Sequence, residues 1–242
     1  MTGPRYLQER LAYHVAQGAN QYAPMTGVPA LREAIADKTA ELYGHRPDAN
    51  SDITVTAGAT EALYAAITAL VRAGDEVICF DPSYDSYAPA VELSGGVLRR
   101  IALQPPHFRV DWQEFAAALS ERTRLVILNT PHNPSATVWQ REDFAALWQA
   151  ITDREIYVIS DEVYEHICFA PHGHASVLAH PQLRERGGGS LFIWQNLPHD
   201  RLESGVLRGA GGNKRRAAQG SSVSDLRGEY ARPAGYRRHA AP

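Results

Sequence analysis

The stretch that decides the fold class is "REDFAALWQAITDREIYVISDEVYEHI" (141–167), in which a helix pattern, a strand pattern and a polar cluster follow one another. Its first twelve residues place apolar side chains at helical spacing, which is typical of an amphipathic helix. The run "EIYVIS" (155–160) is rich in β-branched and aromatic residues and predicts a strand. The polar cluster at 161–164 begins where that strand ends. We therefore expect a helix–strand unit of a parallel sheet, with polar residues at the carboxyl end of the strand.

The same alternation extends over most of the chain. It predicts helices at 27–42, 58–74, 111–120 and 141–152, and strands at 52–56, 76–80, 96–103, 124–129 and 155–160. This order predicts an α/β fold, a doubly wound, mostly parallel sheet with helices on both faces. Polar clusters follow four of the strands, at 57–60, 81–87, 129–134 and 161–164. Because such sheets bind ligands beyond the carboxyl ends of their strands, we expect the four clusters to form one site.

Composition narrows the class of protein. The chain has 242 residues, of which 44% are hydrophobic and 21% charged, as in ordinary globular proteins. A net charge of −3 argues against a general attraction to nucleic acid or anionic membranes, and no apolar run is long enough to cross a bilayer. Cys79 and Cys168 form no CxxC pair and are interpreted as buried, reduced thiols of a cytoplasmic protein. His172 and His174 are interpreted as surface-loop residues and not as metal ligands.

Two of the polar clusters suit an anionic, nitrogen-containing cofactor, and each also has a purely structural interpretation. Gly58, Ala59 and Thr60 form a strand-to-helix turn whose free N–H groups suit a phosphate, although a tight turn with a helix cap has the same pattern. The turn lacks GxGxxG and GxxxxGK[ST], so it does not favour a dinucleotide or P-loop site. Asp161 lies at a strand end, where a carboxylate either holds a pyridinium nitrogen protonated or caps a helix.

The remaining candidate contacts are one amide and two aromatic side chains. The Asn133 amide and the Tyr164 phenol can donate hydrogen bonds to a ring oxygen, and the Tyr84 ring can stack on a flat cofactor. A turn asparagine, a surface tyrosine at Tyr84 and a packed tyrosine at Tyr164 explain the same residues without a ligand. No single cluster decides between the two interpretations.

The order of the motifs along the chain decides between the structural and the cofactor-binding interpretation. It reads "QYAPMTGVPALREAI" (21–35), "TAGATEAL" (56–63), "DPSYDSY" (81–87), "NTPHNPSA" (129–136) and "SDEVYEHI" (160–167). In this order and spacing the chain closely resembles the class I (fold-type I) pyridoxal-phosphate-dependent aminotransferases, above all the methionine and kynurenine/glutamine aminotransferase group. The resemblance implies an incomplete large domain without the small domain. It also implies transfer of an amino group from methionine, an aromatic amino acid, glutamine or kynurenine to a 2-oxo acid.

The resemblance further implies how the cofactor is held. Eight residues would contact pyridoxal 5'-phosphate: Gly58, Ala59 and Thr60 at the phosphate, Tyr84 on the ring face, Asn133 and Tyr164 at the ring oxygen, Asp161 at the ring nitrogen, and Tyr22 at the phosphate of the neighbouring subunit. Relatives are homodimers and carry a segment before "GPRYLQERL" (3–11) that contributes to the dimer contacts. We therefore expect this chain to be truncated at its N-terminus, and its dimerisation is left open.

Relatives also need a lysine that forms a Schiff base with the cofactor and carries the substrate proton. This chain has no lysine in the matching context. Its two lysines, Lys38 in a helix pattern and Lys214 in "GGNKRRAAQG" (211–220), are interpreted as solvated charges. We therefore predict that the Schiff-base lysine is missing and that the chain has no catalytic residue of its own.

A change of reading frame accounts for the missing lysine. If the codons of residues 191–206 are read one nucleotide later, the genetic code permits "SSFGKTYHMTGWKVGY", which holds the lysine pattern of the relatives. We therefore predict an aminotransferase large-domain fragment over 1–186 and an out-of-frame, disordered basic tail over 187–242. Such a chain would be inactive. The alternatives are a non-catalytic remnant that still holds the cofactor, a nicotinamide-dependent oxidoreductase, and a basic tail that binds nucleic acid.

Overall fold

The computed structural model describes residues 5–19, 21–169, 173–185, 190–195 and 205–208. The helices are α1 (Arg5–Ala16), α2 (Pro29–Tyr43), α3 (Ala59–Leu70), α4 (Tyr87–Leu93), α5 (Trp112–Ala118), α6 (Arg141–Ile151) and α7 (Pro181–Glu185), with a 3-10 helix at Val177–Ala179. The strands are β1 (Ile53–Thr56), β2 (Glu76–Asp81), β3 (Val97–Ala102), β4 (Thr123–Asn129), β5 (Tyr157–Asp161), β6 (Ser190–Gln195) and β7 (Gly205–Arg208).

The strands form one seven-stranded sheet in the order β1-β7-β6-β5-β4-β2-β3. Strands β3, β2, β4, β5 and β6 run parallel, whereas β7 is antiparallel to both of its neighbours, β1 and β6. The expected α/β class with a mostly parallel sheet is confirmed. The carboxyl ends of β4 and β5 lie side by side, with Asn129 paired to Asp161.

The core lies on both faces of this sheet because its strands alternate their side chains between two apolar layers. Along β2, Val77 and Cys79 face the layer that contains α3 and α4, whereas Ile78 and Phe80 face the layer that contains α2, α5 and α6. All four side chains are buried. The sheet is therefore covered on both sides, and its carboxyl edge is a fixed platform for the loops that follow the strands.

All predicted strands and helices are present, with ends that differ by up to four residues. The helix predicted over 58–74 ends at Leu70, because Val71 already has an extended backbone. In α2, Ile35 and Thr39 are buried, whereas Leu31 and Leu42 are exposed.

The prediction for residues 187–242 needs a correction. Strands β6 and β7 lie inside this range, so the expected disorder was wrong for Ser190–Gln195 and Gly205–Arg208. The run "SLFIWQ" has strong β-propensity, which explains why it extends the parallel sheet beside β5. The other residues of the range lie outside the described part of the chain. The change of reading frame and the domain boundary at residue 186 stay predictions.

Candidate functional site

A pocket of about 210 Å³ lies at the carboxyl edge of the sheet. It is lined by residues from the start of α3, from the loop before α4, and from the ends of β4 and β5 with the loops that follow them: Ala59, Thr60, Leu63, Tyr84, Asn129, Asn133, Asp161, Val163 and Tyr164. The structure thus brings together six of the eight predicted contact residues, and a seventh, Gly58, directly precedes Ala59. The eighth, Tyr22, is fully exposed and lies outside this lining.

The start of α3 gives the pocket a site for an anion. Gly58 is the N-cap and has φ 91° and ψ 162°, a conformation that side chains disfavour. No side chain caps the helix within the described residues, and the Glu61 carboxylate accepts from the Ala57 N–H at 2.6 Å, one residue outside the cap. The N–H groups of Ala59 and Thr60 lie in the first turn of α3, at the positive end of the helix dipole. This geometry favours a negatively charged group.

Asp161 provides a buried carboxylate at the end of β5. Its side chain is 4% exposed, and Tyr87 Oη donates to Oδ2 at 2.6 Å. Burial raises the pKa of Asp161 to about 6, and the adjacent Glu162 charge acts in the same direction, although the bonds from Tyr87 and the Val163 N–H oppose the shift. A cation placed against Asp161 would stabilise its ionised form, so this carboxylate suits a protonated ring nitrogen.

Two asparagines join the loops that follow β4 and β5. The Asn129 side chain donates to the Asp161 carbonyl at 2.9 Å and accepts from the Asn133 N–H at 2.7 Å. The Asn133 amide in turn reaches Tyr164 Oη at 3.4 Å. Asn133 and Tyr164 are therefore adjacent polar groups on one wall, where both can contact the same ligand oxygen.

Tyr84 is 38% exposed and packs edge-on against Tyr87, with 5.8 Å between the ring centroids and an interplanar angle of 76°. Tyr87 itself was missed in the sequence, as were Leu63 and Val163. The signal for Tyr87 was the second tyrosine of "DPSYDSY", three residues after Tyr84, since α4 begins at that tyrosine. Helix α4 is only seven residues long, and the sequence pattern predicted no helix there.

Lys38 is not the solvated charge that its sequence suggested. Its Nζ donates to Glu165 Oε1 at 2.7 Å and lies 2.8 Å from His166 Nε2, and its side chain is 26% exposed. Burial lowers the pKa of Lys38, whereas the bond and the charge of Glu165 oppose that shift. Lys38 does not line the pocket, and Lys214 lies outside the described residues.

Two other interpretations also need correction. His174 is not on the surface: its side chain is 6% exposed, and Nε2 lies 2.6 Å from Glu162 Oε2. Cys168 is half-buried, whereas Cys79 is fully buried as expected, and both are free thiols. His172 lies outside the described residues.

The described residues contain no cluster of three or more potential metal ligands. None of the helices in that part of the chain has the length and apolar character needed to span a bilayer.

Comparison with known proteins identifies relatives over most of the chain. The family described as Aminotransferase class I and II matches residues 5–195. The methionine aminotransferase of Escherichia coli K12 is 86% identical over 184 residues, which are 76% of this chain and 48% of the relative. A probable N-succinyldiaminopimelate aminotransferase of Mycobacterium tuberculosis is 36% identical over 186 residues, 76% of this chain and 47% of the relative.

Solved structures agree with this assignment. Escherichia coli YbdL, for which a methionine aminotransferase function has been identified, superposes with a TM-score of 0.87 at 70% identity and covers 93% of this chain and 58% of its own. The aromatic aminotransferase of Pyrococcus horikoshii has a TM-score of 0.86 at 27% identity, covering 93% of this chain and 61% of its own. The chain spans about half the length of the curated relatives it matches. It belongs to the class I and II aminotransferases, a family that uses pyridoxal 5'-phosphate as cofactor.

Proposed function

We propose that this chain holds pyridoxal 5'-phosphate without a covalent bond and does not catalyse transamination. We infer that it is the cofactor-binding part of an aminotransferase that moves the amino group of methionine, or of a similar amino acid, to a 2-oxo acid. The 86% identity to a methionine aminotransferase supports this donor class. The observation that carries the proposal is the pocket around Asp161, which has polar partners for the cofactor and no lysine among its lining residues.

The residues of the pocket match the chemical groups of the cofactor one by one. The N–H groups at Ala59 and Thr60 suit the phosphate, and Asp161 suits the ring nitrogen. The adjacent Asn133 and Tyr164 suit the ring oxygen, and Tyr84 offers its face to the ring. When bound, the cofactor supplies an electron-withdrawing ring that stabilises negative charge at the substrate Cα.

The missing amine explains the proposed lack of turnover. Transamination needs a base that takes the proton from the substrate Cα and gives it to the cofactor C4′. The Asp161 carboxylate already accepts from Tyr87 and is assigned to the ring nitrogen, and Lys38 is bonded to Glu165 outside the pocket lining. The remaining lining residues in the described part of the chain carry amides, phenols, the Thr60 hydroxyl or apolar groups, none of which is a base near neutral pH.

The predicted frame change supports the same proposal, because a shifted reading of 191–206 contains the lysine that relatives use. Homodimerisation belongs to this proposal as well. Tyr22 is fully exposed here, as a residue is when it reaches across to a second subunit. The cytoplasmic location stays a prediction.

The test is to purify the full chain, add pyridoxal 5'-phosphate, and record absorbance before and after borohydride. We expect saturable binding, no cofactor mass retained on the chain after borohydride, and no amino transfer from methionine to a 2-oxo acid. A Lys38→Arg variant controls for adventitious modification of Lys38, since arginine keeps the positive charge beside Glu165.

The matched positive control is the gene with one nucleotide removed within codons 186–189, which would move the reading one nucleotide later and restore the lysine pattern. We expect this frame-restored protein to retain the cofactor after borohydride and to transfer amino groups. Turnover by the unaltered chain would contradict the proposal, as would binding of NAD without binding of pyridoxal 5'-phosphate.

A further inference from the structure

A second buried polar cluster lies directly behind the cofactor pocket, centred on Glu162. The Glu162 side chain is fully buried and accepts three hydrogen bonds, from Ser160 Oγ at 2.6 Å, from the Val177 N–H at 3.0 Å and from His174 Nε2 at 2.6 Å. We call these four residues the Glu162 cluster. A buried carboxylate with this many donors fixes the backbone on either side of it, because each broken bond leaves a buried polar group without a partner.

The Glu162 cluster and the pocket are linked through one peptide bond. Asp161 and Glu162 are consecutive, and they bond to opposite sides of the chain: Asp161 to Tyr87 of α4, and Glu162 to the segment 173–177. Rotation of the backbone at Glu162 would therefore turn the Asp161 carboxylate away from the pocket.

The two adjacent carboxylates also interact through their charges. The Glu162 charge acts to raise the pKa of Asp161, which opposes its ionisation. Among the described residues, His174 is the basic side chain within ion-pair distance of Glu162, with 2.6 Å between Nε2 and Oε2. A hydrogen bond from His174 at this distance offsets part of the Glu162 charge that Asp161 would otherwise face.

We propose that His174 is a positioning residue for the cofactor: through its bond to Glu162 it holds the Asp161 carboxylate in place and ionised for the ring nitrogen. This inference rests on the proposed cofactor binding and extends it to a residue outside the pocket lining. It assigns His174 no contact with the cofactor itself.

Other titratable groups face the two carboxylates and keep their own partners. Tyr87 of α4 bonds to Asp161, and burial raises the pKa of this phenol well above its usual range. Tyr43 of α2 bonds to Glu165, and its pKa is raised by burial first and then by the charges of Glu165 and Glu162. Both phenols therefore stay neutral across the pH range of the test, so they add no charge change of their own.

The test compares His174→Phe, His174→Gln and Glu162→Gln with the unaltered full chain, using His107→Phe, at an exposed position, as the matched control. Two quantities are measured: the dissociation constant of pyridoxal 5'-phosphate, and the pH midpoint of the absorbance change of the bound cofactor. Circular dichroism of each variant without cofactor verifies that it is folded.

The proposal sets the direction of each result. His174→Phe should weaken binding by about tenfold and move the pH midpoint lower, because a displaced or protonated Asp161 no longer keeps the ring nitrogen charged. His174→Gln, which retains a donor, should recover most of the affinity. Glu162→Gln removes a negative charge beside Asp161 but keeps hydrogen-bonding atoms, so it should bind within about threefold of the unaltered chain and move the midpoint higher.

Three results would overturn the proposal. Unchanged affinity and midpoint in His174→Phe would show that Asp161 does not depend on this histidine. Weaker binding with an unchanged midpoint in His174→Phe would show a merely structural role. If His174→Phe does not fold, a midpoint in Glu162→Gln that stays unchanged or moves lower would overturn it. An unaltered chain that binds no pyridoxal 5'-phosphate would overturn the proposed function, and this inference with it.

Discussion

At the scale of single residues, Asp161 is the group whose state depends most on the cofactor. Burial raises the pKa of its carboxyl from 3.8 to about 6, so in the chain without cofactor its ionisation costs folding free energy. A shift of this size corresponds to about 3 kcal/mol once the carboxyl is fully ionised. The cost is absent below pH 3.8, grows between pH 3.8 and about 6, and is complete above that value.

We therefore expect Asp161→Asn to stabilise the cofactor-free chain by up to about 3 kcal/mol at pH 8, and by little near pH 4. Asparagine still accepts from Tyr87, so the local packing is kept. The same variant should bind pyridoxal 5'-phosphate more weakly, because the ring nitrogen loses its counter-charge. Urea unfolding at the two pH values, with a cofactor titration, tests both effects. A variant that is less stable than the unaltered chain at pH 8 contradicts the prediction.

At the scale of elements, the segment before α2 is held against strand β1. Gly27, just before α2, has φ +93° and lies so close to β1 that an added Cβ would be 2.6 Å from Val55 Cγ2. The Val55 N–H also donates to the Thr26 carbonyl at 3.1 Å. The approach to α2 is thus fixed against β1, the strand that leads into the phosphate turn.

Gly27→Ala should destabilise the chain by about 1–3 kcal/mol, since it adds both a strained backbone and a steric overlap. The matched control is Gly44→Ala at the end of α2, where φ is +67° but no atom lies within 4 Å of the added Cβ. The control should cost only the backbone strain, about 1 kcal/mol. Equal losses in thermal unfolding would show that the contact with Val55 is unimportant.

Glu76 joins the starts of three strands. At the first position of β2 it bonds to Arg99 of β3 at 2.9 Å, and to Ser120 and Arg122, which precede β4, at 2.7 Å each. These bonds hold the pKa of Glu76 low, at about 2, with Arg99 making the largest contribution, followed by Ser120 and then Arg122. The stabilisation is therefore complete above pH 4.5 and is lost as the pH falls toward 2.

Glu76→Gln should lower the free energy of unfolding by about 1–3 kcal/mol at pH 7, because a nearly buried charged acceptor is replaced by a neutral amide. The difference between the variant and the unaltered chain should shrink as the pH is lowered from 4.5 to 2. Urea unfolding across this range measures it. A difference that does not depend on pH would mean that the charge of Glu76 is not the stabilising factor.

At the scale of the whole molecule, the sheet joins the phosphate turn to the Asp161 loop through β7 and β6. Strand β1 leads into Gly58 and pairs with β7, β7 pairs with β6, and β6 pairs with β5, which ends at Asp161. The two halves of the pocket are thus held in register by strands that lie beyond the predicted change of frame.

Leu207→Pro should therefore reduce cofactor affinity and stability together. Leu207 pairs with Thr54 on one side and Ile193 on the other. Proline removes a backbone N–H from this interior strand and leaves its acceptor unpaired, which costs about 1–3 kcal/mol. Leu207→Val retains the N–H and is the control. Amide hydrogen exchange adds an independent measurement: slow exchange is expected at 190–195 and 205–208, and rapid exchange in both segments would contradict the strand pairing.

The sequence predicted the features that are determined by residues close to one another in the chain. Parallel strands and their polar ends are readable because periodicity and loop chemistry act over a few residues, and this placed Asp161 and Asn133 at one edge. The partner of Asp161 was not readable, because Tyr87 is 74 residues away in sequence. His174 was misread as a surface residue for the same reason: its burial comes from Glu162, 12 residues earlier, and no pattern around "PHGHA" signals that contact.

Because β1 pairs with β7, the sheet cannot be completed until β7 has been synthesised. Strand β1 is synthesised first, yet its neighbour β7 follows roughly 150 residues later. At translation rates of about 5–20 residues per second, the segment that carries the phosphate turn leaves the ribosome about 8–30 s before its pairing strand. During that interval the hydrogen-bonding edge of β1 is available to other chains. Slow codons within this interval would lengthen it and should raise the fraction of chains lost to aggregation.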